Sequence, residues 1–512
     1  MKVRTSVAFG LALASSIPLV AQTTCSTTTY TSTLICTVPQ LFGPGGLTLD
    51  NQNHNAHFAV NSEAQFRPLN QAIGQELSIL PLGSPGSGAT FTRDAEGNLK
   101  STEDSLGPIL TERASVIGRH VFTLGVAYQY FSFDKIDGIS LHGSTGFPAA
   151  LLHEGSEDLG VLNDPHSFKN DYITTTSQAH LSLNQTVIYG VFGLTKHMDA
   201  SIELPIQAVH FGITSNAHIV RTQPCEATLD PTTGGGDCLF SNGKDTNPPK
   251  AVCGEFHYFG DTSSCPNVFK TVDASFPLPG TPGLLGELPG PVTLAPQRSG
   301  SPGTDATGIG DITLRGKYEV IPGEKFVGSV GLAVRFPSGD AKNFLGTGAY
   351  GVTPFGALTF AGKFSPHVRV GYEWNSRSVL SGDPLGLNGA PTSASLPPAW
   401  LYSGGVDYRV TKHLTLAADL IGQRVLSDGH LSLGSIPRLP ETNGKTEPTT
   451  EALISVPSIK SVNGGYNSDA IAVGGKVRLW GELILTGNAT IRVDDGGLRA
   501  NVVPLVGLSW SK

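Results

Sequence analysis

Gly308-Ile-Gly-Asp-Ile-Thr-Leu-Arg-Gly-Lys-Tyr-Glu-Val320 is the stretch whose reading decides the fold. Ile312, Leu314, Gly316, Tyr318 and Val320 share one face, and Asp311, Thr313, Arg315, Lys317 and Glu319 share the other. A period of two belongs to a β-strand, whose successive side chains point to opposite sides. A Pro322-Gly323-Glu324-Lys325 turn returns the chain into Phe326 to Phe336, where Val330, Leu332, Val334 and Phe336 alternate with Ser329, Gly331, Ala333 and Arg335. Beyond a longer link come Tyr350 to Phe360 and His367 to Asn375, in which Val368, Val370, Tyr372 and Trp374 alternate with Arg369, Gly371 and Glu373. Alternation alone does not separate a half-wet soluble sheet from one that faces lipid.

The rest of the chain makes that separation. Phe122, Leu124, Val126, Tyr128 and Tyr130 form an earlier strand, and Ala179, Leu181, Leu183, Val187, Tyr189 and Val191 form the apolar face of the next. Ser201 to Ser215 returns, and Asn216 to Ala306 reads as one long Pro- and Gly-rich loop. Leu401 to Val410, Leu414 to Val425, Asp469 to Trp480, Leu483 to Val493 and Leu498 to Trp510 complete about twelve strands. The links after even-numbered strands are tight turns, while most others are long and polar. Short turns on one rim and long loops on the other are the pattern of a transmembrane antiparallel up-and-down β-barrel in a bacterial outer membrane. Within hydrocarbon such a sheet must close, because an open edge has no water to bond. Pro504 in the closing strand is expected to interrupt the ladder locally.

Composition narrows the function classes. Net charge is −8, from 34 basic and 42 acidic residues, and no basic block suggests nucleic acid. No apolar run long enough for a membrane helix follows the N-terminus. Lys2, Arg4 and the apolar Val7 to Val20 make residues 1–21 a secretory signal peptide. Export turns Cys25, Cys36, Cys225, Cys238, Cys253 and Cys265 into disulfide candidates. Residues 22–112 lack long alternation and read as a plug or periplasmic segment, with a short helix near Leu69 to Leu77 and a hairpin from Ala89 to Thr102. Residues 113–512 are then the barrel. His54 and His57 stand at helical spacing for a metal, although a polar loop explains them better, and no metal or other cofactor is called for.

Thr307 to Tyr318, Arg335-Phe-Pro-Ser-Gly-Asp340, Asn343-Phe-Leu-Gly-Thr-Gly348 and Ser365 to Asn375 resemble the bacterial outer-membrane family named for the meta-pathway of phenol degradation, with Pro108 onward resembling it more weakly. That family is grouped with fatty-acid and aromatic-hydrocarbon channels, so the resemblance implies a barrel that passes hydrophobic compounds. The Asn-Pro-Ala plug motif of the fatty-acid transporters is not found.

Candidate site residues are those expected to line the lumen: Asp311, Arg315, Lys317, Glu319, Arg335, Arg369, Glu373, Asp407, Arg409, Asp419, Lys476 and Arg478. Charges on a spanning strand are tolerated where they face water or one another. They read first as ion pairs bracing the barrel and second as a substrate path, with no preference for either sign. Gly346-Thr-Gly-Ala-Tyr-Gly351 has dinucleotide-loop spacing but opens a strand, so it is a link. His142 near Ser144 is the only hydrolase hint, and Phe256, Tyr258, Phe259 and Phe269 could form an apolar pocket or merely a loop core. The expectation is a monomeric channel for small hydrophobic or aromatic solutes, in contact with outer-membrane lipid. The alternatives are a structural or adhesive barrel and, more remotely, a lipase.

Overall fold

The computed structural model describes residues 25–26, 28–49, 57–78, 91–93, 99–101, 105–143, 146–154, 168–220, 222, 297–382, 392–440 and 453–512. The wall is a closed antiparallel barrel of 12 strands. They are β1 (Phe122–Ile136), β2 (Tyr172–Thr195), β3 (Met198–Val220), β4 (Gly303–Ile309 and Ile312–Ile321), β5 (Phe326–Phe336) and β6 (Gly351–Phe360). After these come β7 (Phe364–Asn375), β8 (Ala399–Thr411), β9 (Leu414–Arg438), β10 (Ile454–Arg478), β11 (Leu483–Arg492) and β12 (Leu498–Ala500 and Val502–Ser511). Each pairs with its sequence neighbour, and β12 returns to β1 with Leu505 opposite Gln129 and Ser511 opposite Thr123. Phe122 and Lys512 exchange backbone hydrogen bonds at 2.9 and 2.8 Å, so the seam is bonded at its end. The β12–β1 ladder lapses between Ala500 and Leu505, around Pro504, which has no N–H to give.

Alternation now has an inside and an outside. On β4, Leu314 and Tyr318 are 44% and 50% exposed, while Lys317 between them is 2% exposed. Outward Phe122, Leu124, Val126, Val330, Leu332, Val368 and Val370 continue the apolar belt around the barrel. Aromatics border it: Tyr372 packs edge-on to Trp374 and Trp400 at one rim, and Trp480 and Trp510 are exposed at the other. An apolar belt between aromatic girdles on a closed sheet is the outer surface of an outer-membrane barrel.

Two expectations need correction. On β2 the apolar residues Ala179, Leu181, Leu183, Val187 and Val191 are buried and point inward, and lipid meets Ile188, Phe192 and Leu194 instead. The loop from Asn216 to Ala306 is also shorter, because β3 runs to Val220 and short strands resume at Gln297–Gly300 and Gly303–Ile309. Both differences have one cause. β2 and β3 are 24 and 23 residues long and β9 and β10 are 25 each, so these hairpins rise well beyond the bilayer and enclose protein, not lipid.

What they enclose is the N-terminal part of the chain. The helix α1 (Ala59–Ser78) is longer than the Leu69 to Leu77 expected, because Pro68 sits inside it without ending it. Phe58, Phe66, Leu69, Ile73 and Leu77 pack with Leu34, Val38, Leu41 and Leu47, and with Phe131, Phe133, Leu181, Phe211, Leu431 and Ile459 of the wall, in one apolar core. Cys25 and Cys36 are disulfide-bonded within this region. Phe91–Arg93 pairs with Leu99–Ser101 as a hairpin. The expected signal peptide, His54, Ser144, the Phe256 to Phe269 aromatics and Cys225, Cys238, Cys253 and Cys265 lie outside the described residues.

Candidate functional site: the occupied lumen

Residues 105–121 cross the lumen near the tight-turn rim before entering β1. This strap makes no ladder; wall side chains accept from most of its bonded N–H groups. The N–H groups of Ile109, Leu110 and Thr111 all donate to Asp419 Oδ2, at 3.0, 2.9 and 3.3 Å. Leu106 N–H donates to Thr415 Oγ1 at 3.0 Å and Ala114 N–H to Thr359 Oγ1 at 3.0 Å. Val116 N–H reaches Glu319 Oε1 at 2.8 Å, and Ile117 N–H reaches Asp199 Oδ2 at 3.1 Å. Leaving one buried backbone group unbonded costs on the order of 1–3 kcal/mol, so these inward carboxylates and hydroxyls fix the strap's path. Where the strap enters the wall, Gly193 admits it: a Cβ there would stand 1.6 Å from the Gly118 carbonyl oxygen.

Strap and wall also exchange charge. Glu112 bridges Arg315 at 2.5 Å and Lys317 at 3.2 Å, and Arg315 reaches Glu203 at 3.0 Å. Lys317 Nζ donates to the carbonyls of Arg113 and Ser115 at 2.9 and 3.0 Å. Arg113, wholly buried, lies 3.6 Å from Asp407, which accepts from Ser105 Oγ. His367 joins the two wall carboxylates, with Nδ1 3.3 Å from Asp407 Oδ1 and Nε2 2.8 Å from Asp419 Oδ1. Isolated charges in such a place would be prohibitive, whereas paired and hydrogen-bonded ones are admissible.

None of the twelve charged residues singled out in the sequence belongs to the outward belt, and they divide by height. Lys317, Glu319, Asp407, Asp419 and Lys476 lie at strap level, where Glu319 also meets His197 at 3.2 Å. Arg409 and Arg478 are closest to the tight turns, Arg478 lying 3.8 Å from Glu482. Asp311, Arg335 and Glu373 stand toward the loop rim, with Arg335 2.9 Å from Glu373 and 3.9 Å from Asp311. Asp311 in turn accepts from the Gly339 and Thr347 backbones of the following loop at 3.0 and 2.7 Å. Arg315 and Arg369 sit between these levels and line a cavity of about 280 Å³. All twelve strands contribute to its lining, so it is the barrel's own interior. Its further boundaries are Glu76 and Leu77 of α1, and Leu110 and Glu112 of the strap.

The strap and the role of His367 were missed in the sequence. The available signal was the number of inward charges in β4, β8 and β9, more than a bare water-filled wall needs.

A family model described as a putative MetA-pathway of phenol degradation matches residues 246–431. The matched segment is 186 of the chain's 512 residues. It contains the wall residues that hold the strap from β4, β6, β8 and β9. No curated protein matches the sequence. Among solved structures, an outer membrane channel from Pseudomonas putida F1 is 10% identical, with a TM-score of 0.35 over 78% of this chain and 98% of its own. A Pseudomonas aeruginosa FadL homologue is 9% identical, with a TM-score of 0.25 over 77% of this chain and 89% of its own. The Ralstonia pickettii toluene transporter TbuX is 11% identical, with a TM-score of 0.21 over 77% of this chain and 90% of its own.

Proposed function

We propose that this chain is an outer-membrane channel for passive uptake of small hydrophobic or aromatic molecules, acting as a single barrel and shut at rest by its own N-terminal residues. The observation that supports it most is the central chamber, a cavity of about 280 Å³ bounded by a separate piece of the N-terminal region at each end. A barrel serving only as a scaffold has no need of a hollow between two stoppers. The phenol-degradation description of the matched family favours aromatic cargo. In this reading the strap is the inner gate, and its displacement opens the chamber to the periplasm.

The test is uptake by vesicles with a lipopolysaccharide outer leaflet. Protein-containing vesicles should take up benzyl alcohol faster than empty ones and faster than a polar solute of similar size. Flux of neither would favour the structural or adhesive reading. Ester hydrolysis by purified protein that disappears in Ser144→Ala would instead restore the enzyme reading.

A further inference from the structure

Among the described residues, each arginine lining the chamber except Arg369 has a carboxylate oxygen within 4.0 Å. Arg315 is engaged by Glu112 and Glu203, Arg335 by Glu373, Arg492 by Asp134 and Arg499 by Asp494. Among the described residues, Arg369 has no carboxylate oxygen within 4.0 Å; its buried Nε has no hydrogen-bond partner, as is also true of the Nε of Arg315, Arg335 and Arg499. Its guanidinium lies over the Phe355 ring, 4.6 Å from the centroid. That ring is held in place by what faces it: a Cβ at Gly331 would stand 2.2 Å from Phe355 Cζ. Arg369 is therefore a stacked, oriented cation facing the cavity, and Leu110, Leu401 and Ile421 supply apolar lining to the same space.

A planar guanidinium with free donors in a partly dehydrated site matches a carboxylate in shape and charge. A cavity of about 280 Å³ is near the lower end of ligand pockets, roughly 300 Å³ and upward, so the partner is small. We propose that the chamber binds a small aromatic carboxylate, its carboxylate on Arg369 and its ring against Leu110, Leu401 and Ile421. This rests on the channel reading and narrows its cargo from neutral aromatics to their acids.

Calorimetry on the full chain in detergent tests it, with benzoate, benzyl alcohol and benzylammonium as probes. Benzoate should bind at least about tenfold more tightly than the other two, as a charge-assisted contact requires. Arg369→Gln should remove that preference, and Arg369→Lys should keep part of it. Ser403 faces Arg369 across the β7–β8 ladder, so Ser403→Asp should give the guanidinium an internal partner and abolish benzoate binding with Arg369 intact. Should Arg369→Gln fail to fold, Ser403→Asp carries the test alone. Equal binding of benzoate and benzyl alcohol, or undiminished benzoate binding in the folded variants, overturns the proposal. Benzoate binding without flux of any solute would defeat the channel reading and leave this site standing; flux without benzoate preference would do the reverse.

Discussion

The two pieces of N-terminal chain inside the barrel are held by opposite means. Toward the loop rim, residues 28–49 and α1 are packed into a continuous apolar core with the inward faces of β1, β2, β3 and β9. Near the tight turns, the strap is tied by carboxylates and hydroxyls, with only small apolar clusters such as Ile109, Leu110, Ala417, Ala472 and Leu505 beside them. Apolar burial is non-directional and tolerates small shifts, whereas a carboxylate accepting three N–H groups fixes one path. The upper piece thus behaves as a stopper grown into the wall, and the lower one as a tether with a few points of release.

Breaking the tether should have the largest effect. Asp419→Ala strips acceptors from Ile109, Leu110 and Thr111 and a partner from buried His367, a loss on the order of 3–5 kcal/mol for a broken buried pair. Hydrogen exchange at those three amides should accelerate by roughly a hundredfold or more, since about 1.4 kcal/mol is tenfold. Protection of the barrel strands should be kept. Phe66→Ala attacks the stopper: deleting a side chain that is 2% exposed should cost about 3 kcal/mol and loosen α1 in limited proteolysis, with the strap amides unchanged. Strap amides that also loosen would show the two pieces to be one unit. Cys25→Ser with Cys36→Ser opens a link of sequence separation 11 and should cost about 2–3 kcal/mol, confined to cleavage before α1. Lys135→Ala removes an exposed 3.2 Å pair with Asp495 on the outer rim and should change thermal unfolding by under about 1 kcal/mol.

The same contrast explains what could be seen in the sequence. The Ile312–Ile321 segment of β4 and strands β5 to β8 are 10 to 13 residues long and span lipid with charged faces inward, so the alternation of Leu314 and Tyr318 with Arg315 and Lys317 is read directly. Strand β2 was harder. Its lower half turns Ile188, Phe192 and Leu194 to lipid, but its upper half turns Leu181 and Leu183 inward onto the stopper, and a period of two is blind to which side is which. Position along the strand, not pattern, decides that. The strap left no pattern at all, because its N–H groups bond to side chains far along the chain, as Leu110 does to Asp419, and neither partner's neighbours reveal the other. The charges at Asp407, Asp419 and Lys317 were visible; that they clasp the protein's own backbone was not. That Arg369 lacks a carboxylate partner among the described residues is legible only once each neighbour's partner is known.

Uptake of benzyl alcohol by lipopolysaccharide-faced vesicles, compared between the native protein and Asp419→Ala, reaches the central claim most directly. If a tethered strap gates a closed barrel, native vesicles should exceed empty ones and the variant should exceed native by about tenfold, as the loss of one anchoring pair allows. Native and variant uptake both equal to that of empty vesicles would contradict it.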